Sequence, residues 1–143
     1  MPSSPKIRLI RRVAFSSGHR FWLPALSTEE NKALFGEYAS PYNHGHNYVL
    51  DVSVRGAVDS KTGMVVNIKT IDDSLRTHIV SQFDQRSIND EVAHFHDRSS
   101  SLENLMLYLT DVIRPVLPSE CELVGIRLEE FPLLYGELSL NPN

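Results

Sequence analysis

With 143 residues, 41% of them hydrophobic and 22% charged, the chain has the length and composition of one soluble globular domain with a real core, residues 1–143. No apolar run approaches the ~20 residues of a membrane helix. The single cysteine, Cys121, excludes an internal disulfide and a thiolate zinc site and suits a reducing, cytoplasmic setting. Net charge is −4 and no basic-aromatic pattern recurs, so neither nucleic acid nor a membrane is an expected partner.

Residues 7–15 alternate, with Ile7, Leu9, Val13 and Phe15 on one parity and Arg8, Arg12 and Ala14 on the other, which predicts a half-buried strand. The first 28 residues hold Lys6, Arg8, Arg11, Arg12 and Arg20 and no acid, whereas seven acids follow Ser100. Such a start has the composition of a mitochondrial presequence, but it reads as a strand leading into His19. Its charges suit either a basic strand beside an anionic substrate or a solvated strand face. Ser27 and Glu30 have capping-box spacing and predict a short helix over 27–35. Residues 46–55 alternate again, Tyr48, Leu50, Val52 and Val54 against Asp51, Ser53 and Arg55, and 59–63 is turn chemistry.

Ile68, Ile71, Leu75 and Ile79 form one helical stripe. A second helix starts at a capping box of Ser100 and Glu103, buries Leu102, Leu105, Met106, Leu109, Val112 and Ile113, and ends at Pro115 and Pro118. Val124, Ile126 and Leu128 alternate with Arg127 and Glu129 in a strand, and Pro132–Leu138 reads as another. The order ββααββ predicts an α+β fold: a four-stranded antiparallel sheet with both main helices on one face. Its two open edges favour a homo-oligomer.

His44 and His46 lie two apart where a strand begins, so their imidazoles project to one side, and Gly45 between them leaves room. If the first two strands pair as a hairpin, the insertion 21–43 returns His19 beside His44. Three imidazoles without a fourth protein ligand would make an open zinc site. Strand histidines are as often ordinary hydrogen-bonded residues, and His78, His94 and His96 read as surface residues.

The runs Phe15-Ser16-Ser17-Gly18-His19-Arg20, Glu29-Glu30-Asn31, Phe35-Gly36, His44-Gly45-His46-Asn47-Tyr48 and Thr62-Gly63-Met64-Val65-Val66-Asn67, with Glu103-Asn104 and Glu129, together resemble the 6-pyruvoyl-tetrahydropterin synthase family in order along almost the whole chain. The insertion before His44 resembles the tetrahydrobiopterin-pathway enzymes more than the bacterial 6-carboxytetrahydropterin synthases of queuosine biosynthesis. The resemblance implies a tunnelling fold (T-fold) whose trimers close a barrel and stack as a hexamer. It also implies Zn2+ on His19, His44 and His46, a dihydropterin substrate anchored by Glu129, with Glu103 as a further substrate-binding residue, and loss of triphosphate from 7,8-dihydroneopterin triphosphate.

The family's catalytic cysteine corresponds to Tyr38, and its Asp-His pair from a neighbouring subunit to Asp84-Gln85. Glutamine cannot shuttle protons, and a tyrosine with a reference pKa near ~10 needs strong activation to act as a base. Tyr38, Glu37 and Asp84 are therefore the candidate bases, with His94 or His96 as a replacement for the lost histidine. Three readings follow: a zinc-dependent pterin lyase with altered base chemistry, a pterin-binding paralogue without turnover, and an aldol- or epimerase-type enzyme acting on dihydroneopterin. An all-imidazole site also accommodates iron or nickel.

Overall fold

Two strands of fourteen residues each, β1 (Lys6–His19) and β2 (His44–Ala57), pair antiparallel from Lys6↔Ala57 to His19↔His44. In this computed structural model, which describes residues 4–140, the reading of 1–143 as one domain extends past the described residues at both ends. Alternation sets Leu9, Val13 and Phe15 across from Val54, Leu50 and Tyr48 on one face of the hairpin. Arg8 and Arg12 lie across from Arg55 and Asp51 on the other.

The connection between them contains α1 (Thr28–Phe35), capped by Ser27 and Glu30 in the reciprocal arrangement their spacing implied. Asn31 is fully buried; its amide accepts from the Leu23 N–H at 2.8 Å and donates to the carbonyls of Leu23, Leu26 and Ser27. One side chain thus satisfies the backbone of a loop that turns sharply over the sheet end.

After β2 come α2 (Ile68–Leu75), β3 (Arg86–Ser87), α3 (Ile88–Glu91) and α4 (Leu102–Ile113), and then β4 (Glu122–Phe131) and β5 (Leu134–Ser139). The sheet order is β3-β1-β2-β4-β5, five strands rather than four. The addition is β3, parallel to β1 at Ser17 and Gly18, and two residues are too short to show an alternation signal. The remaining four strands are antiparallel, as expected.

Other boundaries also move. The chain past α2 stays helical through a wider i→i+5 turn, Arg76–Val80, and a last turn, Ser81–Phe83. At 3.6 residues per turn, each four-residue step overshoots by about 40°. The wider turn winds more slowly, which keeps Leu75, Ile79 and Phe83 all buried. The N-cap of α4 is Ser101, not Ser100, its side chain accepting from the Asn104 N–H. Val124 sits at a register shift: Ser53 faces Gly125 and Val54 faces Leu123, so Leu123 joins the cluster against the helices while Val124, also buried, lies outside it. Pro132 and Leu133 form the β4–β5 turn instead of beginning the strand.

The core lies between the sheet and its helices. Tyr48, Leu50, Val52, Ile126 and Leu128 meet Ile71, Leu75, Ile79, Phe83, Leu105, Leu109 and Ile113. Neither reading of the basic start, a substrate-facing strand or a solvated face, describes Arg11 and Arg12, which are ion-paired within the chain. Arg11 binds Asp72 through two bonds of 2.7 Å, and Arg12 binds Asp51 at 2.8 and 3.2 Å.

Leu109 is fully buried, whereas Leu107 on the same helix is 57% exposed. Leu109→Ala is expected to cost about 2–5 kcal/mol and Leu107→Ala under about 1 kcal/mol. Chemical denaturation of the two variants checks this, and equal losses would contradict the orientation of α4.

Candidate metal centre

The pairing of β1 and β2 determines what gathers at the sheet end. His19 and His44 are the last pair of the ladder, and His46 lies opposite Ser17. All three share the parity of Tyr48 and Phe15, so their rings stand on the helix side of the sheet. Ring centroids are 4.4 Å apart for His19–His44, 5.1 Å for His19–His46 and 4.9 Å for His44–His46. One potential ligand nitrogen from each lies within 4.8 Å of the other two. A Cβ on Gly45 would meet only the Ser17 carbonyl at 3.7 Å, so steric room is not what this glycine provides.

The rings differ in exposure: His19 is fully buried, His46 half-buried and His44 exposed. Nδ1 of His19 lies 3.0 Å from the Ser100 carbonyl oxygen and 3.2 Å from its hydroxyl. Donation from Nδ1 to that carbonyl leaves a lone pair on Nε2 facing the other histidines. Among the described residues, the buried Nε2 has no hydrogen-bond partner. An orphaned buried acceptor costs about 1–3 kcal/mol, and a cation is a partner that removes this cost. Burial, aided by His44 and His46, pushes the His19 pKa down to about 4 against the opposing Ser100 bond. Burial also lowers that of His44. Neutral imidazole is the form that binds metals, so the donor set fits a metal ion.

Phe21 closes one side, with its ring 5.2 Å from His19 and 6.3 Å from His44 and Phe35 behind it at 5.4 Å. Against the histidines also stands a carboxylate one residue beyond Glu129. Glu130 Oε1 is 3.4 Å from His19 Nε2 and 3.5 Å from His46 Nε2, and it accepts from the Tyr48 hydroxyl at 3.1 Å. Burial and the adjacent Glu130 raise the Tyr48 pKa, so the phenol stays a donor.

Glu129 points the other way. It lies on the outer face opposite Val49, where Arg127 donates to it at 3.0 Å. The signal that separates these neighbours was present in the sequence. Glu130 shares the parity of Ile126 and Leu128, which is the face of the histidines, and Glu129 shares that of Arg127.

The other candidates are dispersed. Glu103 is exposed in the first turn of α4. Glu37 is exposed and Tyr38 is 68% exposed, both in a single 3-10 turn beside Ala39, which bridges to Phe21. Asp84 lies at the β1 edge, one oxygen accepting from the Ser16 N–H at 2.9 Å. Gln85 follows with φ +60° and its side chain exposed. Beside His46 opens a cleft of about 490 Å³, lined by Ser16, Asn47, Gln85, Arg86 and Phe131 among others. His78 and His96 are exposed, and His94 stacks half-buried on Tyr108, away from the triad. Cys121 sits beside Pro118 before the start of β4, at the opposite end of the sheet.

A family model described as 6-pyruvoyl tetrahydropterin synthase matches residues 8–139. A 6-pyruvoyl tetrahydrobiopterin synthase of Drosophila melanogaster is 36% identical over 132 residues, covering 92% of this chain and 79% of the relative. The human protein of that name is 39% identical over 108 residues, 76% and 74% of the two chains. The solved structure of Caenorhabditis elegans 6-pyruvoyl tetrahydropterin synthase superposes with a TM-score of 0.88 at 29% identity, covering 99% of this chain and all of that one. The chain therefore belongs to the 6-pyruvoyl tetrahydropterin synthase family.

Proposed function

We propose that this chain is a lyase of the 6-pyruvoyl-tetrahydropterin synthase type, holding zinc on His19, His44 and His46 and acting on 7,8-dihydroneopterin triphosphate or a related dihydropterin. The observation that carries the metal reading is the buried, unpartnered Nε2 of His19 facing two further imidazoles. When bound, the ion supplies Lewis acidity to the hydroxylated side chain of the substrate. The protein has to bind the ring, orient that side chain and take a proton from carbon. The carbon–oxygen bond to triphosphate then breaks, and the leaving group departs with the bonding pair.

The anchoring carboxylate in this proposal is Glu130, not Glu129. A carboxylate can accept two parallel hydrogen bonds from a pterin amino group and ring N–H only on the face where the ring lies. Glu130 stands on the histidine face, while Glu129 is bound to Arg127 behind the sheet. Tyr48 holds one oxygen of Glu130 and so sets its plane.

Tyr38 and Glu37 are the intramolecular candidates for the base, because their segment runs beside Phe21, which touches His19 and His44. Asp84 belongs to the other edge of β1 and would serve a neighbouring copy. Assembly as a cytoplasmic hexamer with a barrel of closed sheets is part of the same proposal. The exposed Phe131, Leu133, Leu134 and Tyr135 at the β4–β5 edge support it, as apolar surface suited to a neighbouring copy. No helix among the described residues is long and apolar enough to cross a membrane.

Tyr38 and Gln85 at the expected cysteine and histidine positions favour a second reading, dihydropterin binding without turnover. Incubation of zinc-loaded protein with dihydroneopterin triphosphate separates the two. Release of inorganic triphosphate that stops on chelation is expected, and tight binding without product over hours would establish the second reading instead.

Loss of a charged hydrogen-bond acceptor costs about 1.5–3 kcal/mol, or roughly 10- to 150-fold in affinity. Glu130→Gln is therefore expected to weaken dihydropterin binding about tenfold or more, measured by calorimetry, and Glu129→Gln by less than about threefold. The reverse order would return the anchor to Glu129.

A further inference from the structure

Just beyond the metal centre the two chains are joined by one isolated bridge, Phe21↔Ala39, with the Ser40 N–H donating to the Phe21 carbonyl. His19↔His44 is the final pair of the ladder, and beyond it lie residues 21–43, without a continuing strand to hold the ligands together. Ligand spacing at the end of a ladder benefits from a further restraint, and the side chains adjoining the two ligands supply one.

Arg20 follows His19. Its guanidinium donates to Asp90 Oδ1 at 2.6 Å and Oδ2 at 2.9 Å, and to Asn43 Oδ1 at 2.8 Å. Asn43 precedes His44, and its amide donates to Ser87 Oγ at 2.8 Å, which in turn donates to Asp90 Oδ2 at 2.8 Å. The ring of contacts closes on itself. Beneath it, the Arg20 backbone N–H donates to Asn89 Oδ1 at 2.9 Å, and the buried Ser100 hydroxyl lies 3.1 Å from the same oxygen. Ser100 is the residue whose carbonyl faces His19 Nδ1.

We propose that Arg20, joined to Asp90 and Asn43, is a positioning residue for the metal centre: it fixes the chain after His19 to the chain before His44, and through Asn89 and Ser100 holds the His19 ring with Nε2 toward the ion. The guanidinium is suited to this because its planar fork serves three acceptors at once, which a lysine ammonium on a flexible stem does not reproduce. Contacts behind metal ligands are worth roughly 10- to 100-fold in metal affinity. The inference rests on the metal-centre reading of the preceding subsection and requires no turnover.

The experiment compares the full-length parent with Arg20→Lys and Asn43→Ala, each purified metal-free. Zn2+ affinity is measured by competition with a chromophoric chelator, ligand geometry from the visible absorption of the Co2+-loaded protein, and fold stability from the melting temperature of the apo form. Arg20→Lys is expected to weaken Zn2+ binding tenfold or more and to change the Co2+ bands, with the apo melting temperature within about 3 °C of the parent. Asn43→Ala, which removes only the link to the His44 side, is expected to lose threefold or more, and it decides the matter if Arg20→Lys does not fold. Affinity within twofold of the parent, with unchanged Co2+ bands, in the folded variants overturns the proposal. A parent that binds neither ion overturns the metal centre and this inference together, whereas a parent that binds zinc without turning over substrate leaves the inference standing.

Discussion

The register of one antiparallel ladder underlies the rest of the molecule. Fourteen residues of β1 face fourteen of β2, and the pairing that sets Phe15 opposite Tyr48 also sets His19 opposite His44. A slip of one residue would turn the apolar set of a strand toward solvent and its charged set toward the helices. The hydrophobic core therefore enforces the ligand spacing. The histidines themselves contribute little to holding the register, because they sit at the last pairs of the ladder.

The same arrangement has a cost that points to its use. A ring buried as deeply as His19, with one nitrogen satisfied by Ser100 and the other making no hydrogen bond among the described residues, is poorly explained as a stabilising element. Desolvation keeps it neutral near pH 7, and the lone pair is directed at two more imidazoles and away from bulk water. Glu130 and Tyr48 complete a polar cup at the end of an otherwise apolar face. Outside it, Arg12–Asp51, Arg55–Glu122 and Arg127–Glu129 occupy the opposite side of the sheet, so the charge of the strands is largely absorbed in pairs.

Much of this was legible in the residues. Alternation found four strands, capping spacing found α1, and the one-sided projection of His44 and His46 with a hairpin return of His19 placed the triad. What escaped has physical causes. The two residues of β3 carry no period, the register shift at Val124 breaks the alternation that defined its strand, and the wide turn after Leu75 hides in a four-residue spacing. Ser100 looked like a helix cap because Glu103 follows three residues later, but the cap is Ser101, and Ser100 turns inward to His19. Glu130 was missed although its parity matched the histidine face. Glu129 and Glu130 are adjacent residues of one type, and a strand reverses face at each residue.

The most direct test of three imidazoles holding one metal is X-ray absorption at the zinc edge on protein loaded with one equivalent of Zn2+. The expected spectrum shows imidazole outer-shell scattering from three rings with zinc–nitrogen distances of about 2.0–2.1 Å, and His19→Ala removes one ring or the metal itself. A shell of light atoms without imidazole scattering, or zinc retained unchanged in His19→Ala, would contradict it.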